Sequence, residues 1–166
     1  MSKRVLAGLL ILLSFKANAS VLLGTGFNSA TGGRLVPALN LGIGIESYEA
    51  SLSSTGVATA AYYHSSYKLS LFRTWKAGEF LFGTAEAGFG LGGLYAVRSF
   101  KDTGTPADTK YDYVLGPAFF VRWVFVEPVF LAVEGLYGLI GPSNRYGDLF
   151  SLNARDNVTF IIGIRL

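Results

Sequence analysis

The last ten residues, Asn157–Val158–Thr159–Phe160–Ile161–Ile162–Gly163–Ile164–Arg165–Leu166, carry the pattern that decides the fold. In an extended chain Val158, Phe160, Ile162, Ile164 and Leu166 share one face, and Asn157, Thr159, Ile161, Gly163 and Arg165 share the other. In a soluble protein the apolar face of this strand would have to be buried under other elements. No amphipathic helix is legible anywhere in the sequence to cover it.

The same parity recurs upstream. Leu39, Leu41, Ile43 and Ile45 alternate with Asn40, Gly42, Gly44 and Glu46, and Leu115, Pro117, Phe119, Val121, Trp123 and Phe125 alternate with Gly116, Ala118, Phe120 and Arg122. Bulk collects on one side; glycine, alanine and charge collect on the other. A narrow closed barrel in lipid requires this division, with large apolar groups outside and small or polar groups in the lumen.

The N-terminus reads as an export signal. Lys3 and Arg4 precede an apolar run from Val5 to Leu13, and Ala17, Asn18 and Ala19 form an A-x-A site before Ser20. Residues 1–19 are expected to be removed, leaving 20–166 as one domain. The basic balance goes with them: of 14 Lys and Arg, Lys3, Arg4 and Lys16 lie in that segment, whereas none of the 11 acidic residues does. The remainder is formally neutral, which gives no reason to expect a nucleic-acid partner.

Composition points the same way. Charged residues make up 15% of the chain against roughly 25% in average soluble domains, too few to coat the surface of a lipocalin-like soluble barrel. No segment after the signal has the roughly 18 apolar residues of a membrane helix, so a spanning chain must satisfy its backbone as a closed barrel. Cysteine is absent, which excludes disulfides, thiol chemistry and cysteine metal sites.

Strands are expected near 20–28, 36–46, 48–54, 58–73, 79–96, 111–126, 129–140 and 156–166. Tight turns are read around Ser47, Trp75 to Gly78, and Glu127 to Pro128. Long connections rich in Gly, Pro, Asp, Asn and Ser run from Arg98 to Lys110 and from Gly141 to Arg155. Short turns on one side and longer loops on the other are the barrel pattern. Trp75, Phe80, Phe125 and Phe130 flank the tight turns, while Tyr62, Tyr63, Tyr95, Tyr111 and Tyr113 lie toward the loops, suggesting two aromatic girdles. The fold class is therefore all-β: an eight-stranded antiparallel up-and-down transmembrane β-barrel after a cleaved signal peptide.

On the signal peptide and the terminal alternating run, the chain resembles the small eight-stranded bacterial outer-membrane barrels typified by the transmembrane domain of outer membrane protein A. Phe160, Ile162, Ile164 and Leu166 resemble the insertion signal read by the barrel assembly machinery, although that family commonly ends in Phe. The resemblance implies a bacterial outer-membrane location with lipid and lipopolysaccharide as surroundings.

Lumen-facing charges are the first candidate site. A turn centred near Ala77 sets Lys68 opposite Glu86, and one at Pro128 sets Arg122 opposite Glu134. These four residues form a predicted salt-bridged plug, since one unpaired charge in a dry interior costs several kcal/mol. Rearrangement of the same charges defines a narrow gated channel as an alternative. A second alternative is hydrolytic. His64 and Ser66 share a face, and with Glu86 they supply the parts of a triad; the His-x-Ser spacing resembles that of the outer-membrane lipid A deacylases, which place their pair later in the chain and follow it with Asn where Tyr67 stands here. Gly88 to Gly93 lack the helix and Lys-Ser/Thr ending of a phosphate loop, and read instead as small residues relieving a crowded lumen. A single histidine and the spacing of Asp102, Asp108 and Asp112 support no metal site, and no cofactor is expected. The favoured reading is a non-enzymatic barrel with a structural or surface-interaction role, presenting loops 98–110 and 141–155 to an extracellular ligand.

Overall fold

The computed structural model describes residues 19–29, 35–58, 62–100, 109–141 and 156–166. They form eight strands: β1 (Ala19–Asn28), β2 (Val36–Ile45), β3 (Tyr48–Ala58), β4 (Tyr62–Phe80), β5 (Gly83–Phe100), β6 (Thr109–Val126), β7 (Val129–Tyr137) and β8 (Asp156–Arg165). Every neighbour is antiparallel, and β8 closes on β1. Closure leaves no open edge, so the backbone polar groups of each strand are met by the next one. Leu166 is tied in as well: its N–H donates to the Val21 carbonyl and its carbonyl accepts from Val21, at 2.8 and 2.9 Å.

Following paired residues around the wall shows how strongly the strands tilt. The path leaves Val36 and passes through Asn28, Thr159, Glu134, Phe120, Gly88 and Thr74 to the Ser47 carbonyl. It thus arrives at the far end of β2, a whole strand length from its start. This stagger lets side chains from strands distant in the sheet meet at one height inside.

Alternation holds in all eight strands. The outward set stays exposed, from Val21, Leu39, Leu52 and Leu71 through Leu91, Phe119, Leu131 and Phe160. The terminal residues Phe160, Ile162, Ile164 and Leu166 all belong to it, between 38% and 66% exposed. The inward set is buried. Phe72, Leu94, Val114, Ala118, Phe120 and Leu136 form one apolar cluster, and Leu22, Val124, Phe130, Ala132 and Ile161 form a second. In the first, the rings of Phe72 and Phe120 meet edge to face at 5.0 Å. Gly90 and Gly88 of β5 are their cross-strand partners; a Cβ at Gly88 would strike the Phe120 ring. The glycine-rich stretch therefore makes room for two large rings in a narrow lumen.

Several boundaries differ from expectation. β4 starts at Tyr62, and β5 runs on to Phe100 while β6 starts at Thr109, so Arg98 to Phe100 and Thr109 to Lys110, expected in a long connection, lie in paired strands. Trp75 to Gly78 is not a turn: β4 continues to Phe80, and Gly78, at φ +155°, sits at a bulge opposite β5. A glycine in a strand marks such a bulge as readily as a turn. The reversal falls instead at Leu81 and Phe82, both in the left-handed region. β3 runs on to Ala58, and β7 stops at Tyr137, with Ile140 making a single bridge to Leu115. Of the expected girdle, Tyr63, Tyr95, Tyr111, Tyr113 and Trp75 do face outward, but Phe130 is buried in the lumen. The side chains of Tyr62 and Phe80 lie outside the described residues, as do residues 1–18 and most of both expected long loops.

Candidate functional site

The interior holds two ionic clusters at different heights. The lower one starts from Arg122 on β6, whose two terminal nitrogens donate to both carboxylate oxygens of Glu49 on β3, at 2.9 and 2.5 Å. One of them also donates to Glu86 on β5 at 3.2 Å. Glu86 accepts a second fork from Arg165 on β8, one arm at 2.8 Å and the other shorter. Two forks on two carboxylates are the strong geometry for these groups. The Arg122 guanidinium also lies 4.6 Å from the Phe120 ring centroid and 5.0 Å from that of Phe130, so the apolar rings flank the charge instead of leaving a void.

The upper cluster centres on Glu134 of β7. Lys68, 1% exposed, lies 3.3 Å away, and the hydroxyls of Ser51 and Ser70 each donate to one carboxylate oxygen at 2.8 Å. Lys68 also donates to Thr159 at 2.7 Å. Higher still, Asn28 and Asn157 exchange amide hydrogen bonds, and Asn28 donates to Thr159 as well. Asn40 donates to Ser51 and Ser53. A buried polar network is stable only when its members are satisfied in this way.

All four expected lumen charges are thus inside, with partners exchanged. Lys68 faces Leu94 across β4 and β5, and the Cα partner of Glu86 is Lys76. Arg122 faces Ala132, while Glu134 faces Phe120. The expected pairs Lys68–Glu86 and Arg122–Glu134 are replaced by Lys68–Glu134 and Arg122–Glu86. The displaced β4–β5 turn accounts for the first error; for the second, the β6–β7 register, with its irregularity between Val124 and Val126, sets Arg122 opposite Ala132, two residues short of Glu134. Glu49 and Arg165 complete the lower cluster beyond the four expected charges; parity places Glu49 with the inward Ser51 and Ser53, and Arg165 with Asn157 and Thr159.

The three residues of the hydrolytic alternative do not assemble. His64 and Ser66 are buried side by side in parity on β4, and Ser66 shares a 2.5 Å hydroxyl contact with Thr55. Glu86 is in register with Lys76, roughly 40 Å farther along β4 at about 3.3 Å per residue. The carboxylate belongs to the lower ionic cluster at the other end of the barrel. Among the described residues no group of three or more His, Asp or Glu is placed to hold a metal.

A cavity of about 450 Å³ opens at the short-turn end, with Glu49, Glu86, Arg122 and Arg165 among its lining residues. The apolar clusters and the Glu134 network occupy the lumen beyond them.

The architecture defines a class: a closed eight-stranded barrel, apolar outside and ionic within. Among solved structures it is similar to Ail, the attachment invasion locus protein of Yersinia pestis, solved with the heparin analogue sucrose octasulfate. Identity is 10%, the match covers 89% of this chain and 96% of that one, and the TM-score is 0.53. Neisserial surface protein A is also similar, at 12% identity over 89% and 94% of the two chains, with a TM-score of 0.44. Both are small eight-stranded outer-membrane barrels. No family model matches the sequence, and no curated protein matches it.

Proposed function

We propose that this chain is a non-enzymatic, integral barrel of the bacterial outer membrane, with a lumen plugged by its own side chains and a surface-interaction role carried by its long loops. The observation that carries this reading is the pairing of an exposed apolar wall with an interior in which Lys68, Arg122 and Arg165 are paired with Glu134, Glu49 and Glu86. An apolar wall of this extent suits hydrocarbon and not water, and an interior crossed by ion pairs suits a plug more than a pore. The finer resemblance to the transmembrane domain of outer membrane protein A, and insertion by the barrel assembly machinery, rest on the terminal alternating run.

Binding falls to the loops because the rigid wall supports them. β4, β5 and β6, at 19, 18 and 18 residues, are longer than the remaining strands. They offer a platform for loop 98–110. Arg145 and Arg155 against Asp148 give the segment 141–155 a basic balance, and Arg98 and Lys110 add two cations where β5 and β6 approach the other loop, which suits a polyanionic surface ligand such as the heparin analogue seen with Ail. The test is retention of intact cells on a heparin-coated surface. Cells bearing the full chain are expected to bind better than cells whose two loops are replaced by short Gly-Ser connectors. Equal retention, with both barrels migrating as compact forms on unheated gels, refutes the surface role while leaving the barrel intact.

A further inference from the structure

Among the described residues Arg73 stands apart from the other cations. Its neighbour Phe72 points into the core and Trp75 points out, so Arg73 lies on the outer wall, where it is exposed. It is the only charged residue on the outward parity of the strands among the described residues. The other Lys and Arg whose side chains are described all have carboxylate partners: Lys68, Arg122 and Arg165 inside, and Lys76 with Glu79 at the rim. Arg73 has no ion pair with the described residues, including Glu46 in the adjacent turn.

Its setting is specific. Tyr48 and Phe89 are its cross-strand partners on the two sides, and Trp75 follows two positions nearer the short turns. All three rings face outward. The next residue, Thr74, donates its backbone N–H to the Ser47 carbonyl in the β2–β3 turn at 2.7 Å. Arg73 therefore lies beside the β2–β3 turn, although β4 itself runs on to Phe80, and it is within snorkelling reach of the polar boundary at that turn, with Tyr48 and Trp75 as interfacial rings on either side.

An uncompensated guanidinium on a lipid-facing wall becomes more costly with depth. A partner at the boundary removes that cost, and the fork of five N–H donors matches phosphate oxygens. We propose that Arg73, flanked by Tyr48 and Trp75, binds the phosphate of a net-anionic phospholipid headgroup in the leaflet at the short-turn end. This rests on the reading of the chain as an integral membrane barrel.

The chain contains two tryptophans, Trp75 and Trp123, so Trp123→Phe leaves Trp75 as a reporter beside the site. The folded full chain is reconstituted in phosphatidylcholine vesicles with rising fractions of brominated phosphatidylglycerol, and Trp75 quenching is compared with that by brominated phosphatidylcholine. The anionic lipid is expected to be enriched about fivefold at the reporter, the size given by one basic residue at an anionic surface. Arg73→Gln should bring the ratio to one, Arg73→Lys should keep part of it, and Lys76→Gln should leave it unchanged. A ratio that is the same in the parent and Arg73→Gln, or one that falls equally in Lys76→Gln, overturns the site. If neither brominated lipid quenches Trp75 at any composition, the membrane reading fails and the site with it.

Discussion

Arg122 and Glu49 form a two-pronged ion pair although β6 and β3 are not neighbours in the sheet. The contact crosses the lumen, so it ties opposite walls together as well as neutralising two buried charges. Arg122 also shares Glu86 with Arg165, which makes it the member whose loss leaves most charge uncompensated.

Arg122→Gln is accordingly expected to destabilise the barrel by about 3–5 kcal/mol, the range for breaking a buried pair on one side. Adding Glu49→Gln should recover a large part of that. Urea unfolding in vesicles, followed by the shift between compact and heated gel forms, measures both. A loss under about 1 kcal/mol for the single change is the range for exposed pairs and would mean the pair is solvated.

The exchanged partners give a sharper test at Glu134. Lys68→Met should cost several kcal/mol, because Ser51 and Ser70 alone then hold a buried carboxylate. Combining it with Glu134→Gln should restore most of the stability. The combination of Arg122→Glu with Glu134→Arg should give no rescue, since those two residues lie in different clusters. Recovery in that last variant would contradict the observed pairing.

Glycines separate into those that set wall spacing and those that do not. A Cβ at Gly90 would run into the Leu71 carbonyl, and one at Gly26 into that of Phe160, whereas Gly56 has open space around it. Backbone cannot give way as a side-chain tip can, so Gly90→Ala and Gly26→Ala are expected to cost about 2 kcal/mol or more. Gly56→Ala should stay within about 0.5 kcal/mol. The yield of compact barrel after refolding is the readout.

The β4–β5 turn carries avoidable strain. Leu81 and Phe82 both have positive φ, 43° and 63°, in a two-residue hairpin that favours Asn-Gly. Bulky residues seldom occupy this region. Replacing the pair by Leu81→Asn and Phe82→Gly should stabilise the barrel by about 1–2 kcal/mol. The unfolding midpoint should rise, and a fall would mean that the exposed Phe82 ring makes contacts worth more than the strain.

Fold was legible because its signal is local. Period-two alternation places each side chain inside or outside without reference to any other strand, so Phe160, Ile162 and Ile164 could be assigned to the wall and Lys68, Arg122 and Glu134 to the lumen from the sequence alone. Tight turns and the closed barrel follow from the same pattern once helices are excluded. Partner choice has no such local record. It depends on where a turn falls and on how far the strands stagger around the barrel, and moving one reversal from Trp75–Gly78 to Leu81–Phe82 re-pairs two whole strands. Which carboxylate meets Arg122, that Arg165 completes the lower cluster, that Glu86 lies far from His64, and that Arg73 stands outside beside the β2–β3 turn between two rings were decided only when eight tilted strands closed on one another.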